Sequence, residues 1–160
     1  MTVDLEKKES ICSYLAAEDL RSVFKFLDEK EVETLCTYLE LRKLPTNTIL
    51  MEENQDGDFM GFLVKGRLAV KKETRFPGKY ILLAILDPGT MVGEISVMEC
   101  CRRNATVVAM EEAQLLILSR ERLNALLAAD PILGSKVLKR IIQVLSIRLQ
   151  RADDRLAKLL

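Results

Sequence analysis

Between residues 41 and 118 the chain breaks into short apolar runs separated by turn residues, and that rhythm limits its fold more than any other feature. The runs are 41–45, 48–52, 60–64, 67–73, 80–86, 91–93, 104–110 and 113–118. Between them fall Pro45 with Asn47, the polar cluster 54–58, Gly66, Pro77-Gly78 and Asp87-Pro88-Gly89. Proline presets φ for a turn, while glycine and asparagine tolerate positive φ. Short apolar runs bounded in this way read as strands rather than helices. Seven or eight such strands in series hide their apolar sides by closing on one another, so a barrel or jelly roll is predicted over 41–118.

Helical periods flank this region. Leu5, Ile11, Tyr14 and Leu15 make a loose apolar stripe that reads either as helix packing or as a partner-binding segment. Leu20, Val23, Phe24 and Leu27 then recur at three- and four-residue spacing. Asp28 stands as an N-cap with Glu31 in capping-box register, and the helix it opens turns Val32, Leu35, Cys36 and Leu39 inward. After residue 118, Ser119 caps a helix carrying Leu123, Leu126 and Leu127. Asp130-Pro131 opens the last helix, with proline in its first turn. There Leu138, Ile142, Leu145, Leu149, Ala152, Leu156 and Leu159 alternate four- and three-residue spacings, a coiled-coil seam. Val137, Ile141 and Val144 form a second stripe for the barrel. At ~1.5 Å per residue this helix reaches roughly 43 Å, longer than the barrel needs. A parallel homodimer through the seam is the expectation, with a helix lying along its own barrel as the other reading. The expected class is α+β, one domain over 1–160 with helices in 1–40, a β-barrel in 41–118 and helices in 119–160.

Composition excludes several functions. The 160 residues carry 24 Lys and Arg against 24 Asp and Glu, so no overall field recruits nucleic acid or an anionic membrane. Basic residues at Lys136, Lys139, Arg140, Arg148, Arg151 and Arg155 alternate with apolar positions and read as a solvated helix face. No apolar run approaches the ~18 residues of a membrane span, and the N-terminus lacks the apolar core of a secretory signal, which makes a cytoplasmic protein the expectation. Histidine is absent, which removes the commonest general base and both serine- and cysteine-type triads. The four cysteines show no Cys-x-x-Cys spacing. Cys12 and Cys36 read as small core residues; Cys100-Cys101 reads as loop filling or as a thiol pair sensitised by adjacent arginines. No set of residues makes a nucleophile, base and oxyanion site. The expectation is a binding protein without metal or cofactor.

The stretch 93–107 carries the binding chemistry. Gly93 lets bare backbone approach a ligand, and the carboxylate of Glu94 is an acceptor suited to sugar hydroxyls. Ile95 and Ser96 continue into one short helical turn whose free N–H groups favour an anion. Arg103 returns nine residues after Glu94, followed by Asn104, Ala105 and a β-branched pair. An acceptor, a guanidinium and a helix start together fit a compact ligand bearing both hydroxyl and phosphate.

This stretch resembles the phosphate-binding cassette of the cyclic nucleotide-binding domain family, a pattern of Gly-Glu-(Leu/Ile)-(Ala/Ser), about six residues, then Pro-Arg-(Ser/Ala)-Ala-(Thr/Val). The resemblance extends from about residue 41 to 131 through Leu44-Pro45, Thr48-Ile49-Leu50, Gly57-Asp58, Phe62 to Arg67 and Asp87-Pro88-Gly89. Arg102 stands where the family has proline, Asn104 where it has serine or alanine, and Asn54 where it has glycine. Gly61 replaces a frequent aromatic and predicts a looser strand. The resemblance implies that Glu94 takes the ribose 2′-hydroxyl and Arg103 the exocyclic phosphate oxygens, with the amides around Ala105 completing the cradle. It also implies that Val70, Leu83 and Ala84 lie against the base and that residues near Arg148, Arg151 and Ala152 form a lid. A hydroxyl after the cassette arginine often aids guanine recognition in the family. Asn104 lacks one, so cAMP is favoured over cGMP.

Two functions follow. The first is a cyclic nucleotide-responsive regulatory module in which the last helix moves on binding. No helix-turn-helix, kinase or channel segment appears in these residues, so its expected output is a partner protein. The second is a structural dimerisation module with a vacant pocket, in which Glu94 and Arg103 pair with each other.

Overall fold

The computed structural model describes residues 11–160. A 3₁₀ turn, Ile11–Tyr14, precedes helices α1 (Ala17–Val23) and α2 (Glu29–Cys36). Six strands follow: β1 (Glu40–Leu44), β2 (Ile49–Met51), β3 (Phe59–Lys65), β4 (Leu68–Glu73), β5 (Tyr80–Leu86) and β6 (Met91–Val92). The short helix α3 (Glu94–Glu99) leads to β7 (Thr106–Ala109) and β8 (Ala113–Ser119), and α4 (Arg120–Ala129) and α5 (Pro131–Ala157) end the described fold. The strands form two antiparallel four-stranded sheets, ordered β1-β8-β3-β6 and β2-β7-β4-β5. This is the predicted jelly roll. Leu5 of the proposed N-terminal stripe lies outside the described residues.

Two apolar clusters hold these layers, and the period of two in β3 and β8 decides which residue enters which. Met60, Phe62 and Val64 of β3, with Leu116 and Leu118 of β8, face the helices. Leu63, Leu115 and Ile117 face the second sheet, with Leu68, Val92 and Val107. Both strands are therefore buried on both faces, which is why their sequences are continuous apolar runs. Phe62 meets Phe24 edge-on, ring centroids 5.0 Å apart, and so seats the segment after α1 on the sheet. Gly61 does not loosen β3. The strand pairs through it with both Ile117 and Val92, and a Cβ there would come within 2.9 Å of Leu115 Cδ2. The missing side chain makes room for a neighbour inside the barrel.

The helix caps follow the sequence. Asp28 accepts from the Glu31 amide, Ser119 from the Arg122 amide and Asp130 from the Leu133 amide. Glu31 departs from a reciprocal capping box: its carboxylate takes Lys136 Nζ of α5 at 2.6 Å, tying α2 to the last helix. Cys36 is buried in the first cluster and disulfide-bonded, which corrects its reading as a plain core residue. In α5, Val137 and Ile141 are fully buried and Val144 packs beside them, as the inward stripe requires. The seam divides. Leu138 and Leu145 also touch the first cluster, while Ile142, Leu149 and Leu156 stand 61%, 64% and 60% exposed. No described helix is long and apolar enough to cross a membrane.

Candidate functional site

The site is built where β6 turns into α3. Gly93 takes φ 80°, a left-handed conformation that glycine adopts without steric cost. A Cβ at this position would also lie 2.5 Å from Met51 Cε and 2.6 Å from Arg103 Nη1, so space as well as backbone demands glycine. Glu94 and Ser96 follow on the buried side of α3, Glu94 only 2% exposed, whereas the Ile95 side chain faces outward. One Glu94 oxygen pairs with Arg148 Nη1 of α5, and Arg148 Nη2 donates to the Met91 carbonyl. The other oxygen, Oε2, is buried with no hydrogen-bond partner among the described residues. A carboxylate oxygen so placed retains acceptor capacity for a hydroxyl.

Arg103 lies beyond Gly93, 5% exposed. Its Nη2 donates to the Phe59 carbonyl at 2.7 Å and its Nη1 to the Gly93 carbonyl at 3.2 Å. The guanidinium carbon stands 4.6 Å from the centre of the Phe59 ring, as does that of Arg42. Main-chain bonds fix the residue, its amide donating to Gln55 O at 2.8 Å and its carbonyl accepting from the Asn54 amide at 2.8 Å. Among the described residues no carboxylate forms an ion pair with it. Desolvation therefore draws its pKa below the ordinary arginine value and Arg120 adds to the effect, while the charges of Asp58, Cys101 and Glu94 oppose it. A cation held among carbonyls and an aromatic face, without a counter-anion, is set up for an anionic ligand.

The surrounding positions divide in the same concrete way. Ala105 is buried, while Asn104 is exposed and its carbonyl accepts from Lys72 Nζ at 2.6 Å. Arg102 bridges the main chain of Asp56 on the surface, in place of the proline usual in the resemblance. Val70 and Ala84 sit opposite each other in β4–β5 and pack on the second cluster. Leu83 falls at the register shift in this pair, and its carbonyl accepts from Arg155 Nη1 at 3.3 Å. The last helix thus reaches both the cassette and the β5 wall. Of the three predicted lid positions, Arg148 makes the cassette contacts; Arg151 and Ala152 are exposed. Glu94 and Arg103 do not form an ion pair with each other; Arg148 takes the carboxylate instead.

Sequence reasoning missed Phe59, Met51 and Arg120. Arg120 opens α4, yet its side chain reaches back to the cassette, with Nη2 donating to Gly57 O at 2.5 Å and Ser96 O at 2.6 Å, and Nε to Val97 O at 3.3 Å. An arginine in the first helical position opposes the macrodipole, and that local conflict was the available signal. Gly57 is packed against the same structure, where a Cβ would meet Arg103 Nε and Ser96 Cβ, each at 2.6 Å.

Beside the site, Glu53 ties the turn after β2 to β4. Its carboxylate takes the Glu73 amide and Lys72 Nζ, each at 3.0 Å. The Glu73 amide first, then Lys72, hold its pKa below the ordinary glutamate value of 4.5. A depressed carboxyl pKa contributes stability that is complete above the unfolded value and is lost as pH falls through the folded one. Glu53→Gln is accordingly expected to lower the melting temperature near pH 7, with the gap to the parent narrowing as thermal scans move below pH 4. A constant gap across those scans would remove Glu53 from the acid response.

Comparison with known proteins gives a consistent result. The family model of the cyclic nucleotide-binding domain matches residues 41–130. The cyclic AMP receptor protein of Thermus thermophilus is 29% identical over 131 residues, which is 82% of this chain and 58% of that protein. The CRP-like cAMP-activated global transcriptional regulator of Mycobacterium tuberculosis is 24% identical over 139 residues, 86% of this chain and 59% of that one. The chain therefore spans just under three fifths of the length of these curated relatives. Among solved structures, a cyclic nucleotide-binding domain from Methylobacillus flagellatus superposes with a TM-score of 0.80 at 28% identity, over 86% of this chain and 82% of that one.

Proposed function

Since the chain belongs to the cyclic nucleotide-binding domain family, we propose that it is a regulatory module that binds a cyclic nucleotide, cAMP in preference to cGMP, and passes the event through α5 to a partner protein. The observation that carries this reading is Arg103, a buried guanidinium whose hydrogen-bond partners are carbonyls and whose charge has no paired carboxylate among the described residues. Holding that cation out of water is costly unless an anion joins it. Glu94, next to Gly93, keeps one buried oxygen without a partner among the described residues, the acceptor that a ribose hydroxyl requires. In the proposed complex the phosphate lies on Arg103 and the amides of Ile95, Ser96 and Ala105, and the base lies against Val70, Leu83 and Ala84. Asn104 offers no hydroxyl to a guanine, which supports adenine.

The coupling runs through Arg148. It holds the same carboxylate that the ribose would take, so ligand and helix compete for Glu94 or share it. Either case makes the position of α5 depend on occupancy, since a ligand shifts an equilibrium only by its differential affinity for the two states. The exposed seam of Ile142, Leu149 and Leu156 supports a homodimer formed by two such helices.

The test is calorimetric titration of the full chain with cAMP and with cGMP, followed by hydrogen exchange across α5. Expected are saturable binding, tighter for cAMP, and altered protection around Arg148. Absence of heat from either nucleotide, with the protein folded and dimeric, would replace this reading by the vacant dimerisation module.

A further inference from the structure

A cavity of about 370 Å³ is lined by Asp56, Gly57, Asp58, Cys100, Cys101 and Arg120. That volume lies within the roughly 300–1,000 Å³ of small-molecule sites. Its walls carry charge of both signs and two thiols adjacent in sequence, both free. Cys100 is exposed and Cys101 half-buried. Cys100 takes φ 51°, a left-handed conformation uncommon outside Gly, Asn and Asp, and this turns the chain so that both residues border the cavity. Arg120 Nη1 makes no hydrogen bond among the described residues, and the Asp56 and Asp58 side chains are exposed, Asp56 in a loose surface pair with Arg102 at 3.9 Å that a ligand ammonium would replace. A guanidinium edge and two carboxylates around a thiol match a ligand with its own carboxylate and ammonium.

We propose that this cavity is a thiol–disulfide exchange site for zwitterionic low-molecular-weight disulfides of the amino-acid or short-peptide class, and that the resulting adduct weakens the neighbouring nucleotide site. Cys100 Sγ, as the thiolate, attacks one sulfur of the disulfide. The new S–S bond forms as the old one breaks, and the departing thiolate takes up the proton that Cys100 released. Oxidation of one protein thiol is thus matched by reduction of the disulfide to a mixed disulfide and one free thiol. The ammonium of the retained half faces Asp56 and Asp58, and its carboxylate faces Arg120.

The link to the nucleotide site runs through that arginine. Arg120 holds the carbonyls of Gly57, Ser96 and Val97, and Gly57 in turn packs against the Arg103 guanidinium. A carboxylate that recruits Arg120 loosens those bonds and with them the position of Arg103. This coupling, though not the exchange chemistry, rests on the proposed nucleotide-binding function.

The test exposes the full chain to cystine and, separately, to the neutral disulfide of 2-mercaptoethanol, with the adduct followed by intact mass and located by peptide mapping. A single adduct on Cys100 is expected to form about tenfold faster with cystine, whose ammonium and carboxylate each meet an opposite charge in the cavity. Asp56→Asn/Asp58→Asn should erase that preference, and Cys100→Ser should form no adduct there while binding cAMP as the parent does. The cysteinyl adduct should lower cAMP affinity about tenfold, a coupling of ordinary size, with recovery in dithiothreitol. Equal rates with both disulfides would overturn the site, and an adduct that leaves cAMP affinity unchanged would overturn the coupling. If the unmodified protein binds neither cyclic nucleotide, the proposed function falls, and the rate comparison still decides the exchange site.

Discussion

Replacing Arg103 by alanine is expected to lower cAMP affinity by more than a hundredfold. The guanidinium is buried, its fork is fixed by two carbonyls, and its plane is supported by Phe59. A phosphate seated on it would be largely desolvated, and removing one partner of a buried charge pair costs about 3–5 kcal/mol. At ~1.4 kcal/mol per tenfold, that loss exceeds a hundredfold. Arg103→Lys should retain part of the binding, because it keeps the charge but loses the planar fork that engages several oxygens together. The fold should survive both changes. Alanine leaves the Gly93 and Phe59 carbonyls without donors, yet it also removes a cation whose burial is unfavourable. Calorimetry beside thermal melting separates the two effects, and an alanine variant that binds like the parent would show that Arg103 does not hold the phosphate.

The second large effect concerns the last helix. Ile142→Glu/Leu149→Glu is expected to convert a dimer into a monomer without unfolding it. Both side chains are more than half exposed in one copy, while the stripe of Val137 and Ile141 that anchors α5 on the first cluster is untouched. Burying an aliphatic side chain is worth about 1.5–3 kcal/mol, so four of them across a symmetric seam give roughly 6 kcal/mol or more. Losing that, and bringing four carboxylates together, shifts the dissociation constant by over a thousandfold. Sedimentation velocity reads the outcome directly. A parent chain that already sediments as a monomer at tens of micromolar would refute the seam as a dimer interface.

The parts of the fold that were legible in the sequence are those in which a local rule decides. Turn residues separate the first six strands, and Asp28 and Ser119 are legible as caps because a short side-chain acceptor before an apolar period has few other uses. The glycine and carboxylate of the cassette were legible for the same reason: Gly93 needs positive φ, and Glu94 follows in the first turn of a helix. What escaped notice depends on three-dimensional closure. Gly61 was read as a weak point in a strand, whereas its missing Cβ makes room for Leu115 across the barrel. The vacant-pocket reading pairs Glu94 with Arg103, which is close in sequence, but Arg148, 54 residues later, reaches the carboxylate. Arg120 faces its carbonyl partners only once β8 has delivered α4 to the cassette, and no linear pattern encodes that meeting.

The last helix is fastened at two heights, by Glu31 to Lys136 near its start and by Glu94 to Arg148 further along. The first bond belongs to the helical layer, the second to the ligand cassette. In the proposed coupling Lys136 would serve as a fulcrum and Arg148 as the point where force is applied, about 18 Å away along the axis at ~1.5 Å per residue. The rod continues to Ala157, about 31 Å from the fulcrum by the same measure. A tilt that moves Arg148 by 1 Å carries the far end by nearly twice as much. Leu149 and Leu156 stand exposed toward that end, so the largest displacement would occur on the surface that the proposed dimer uses.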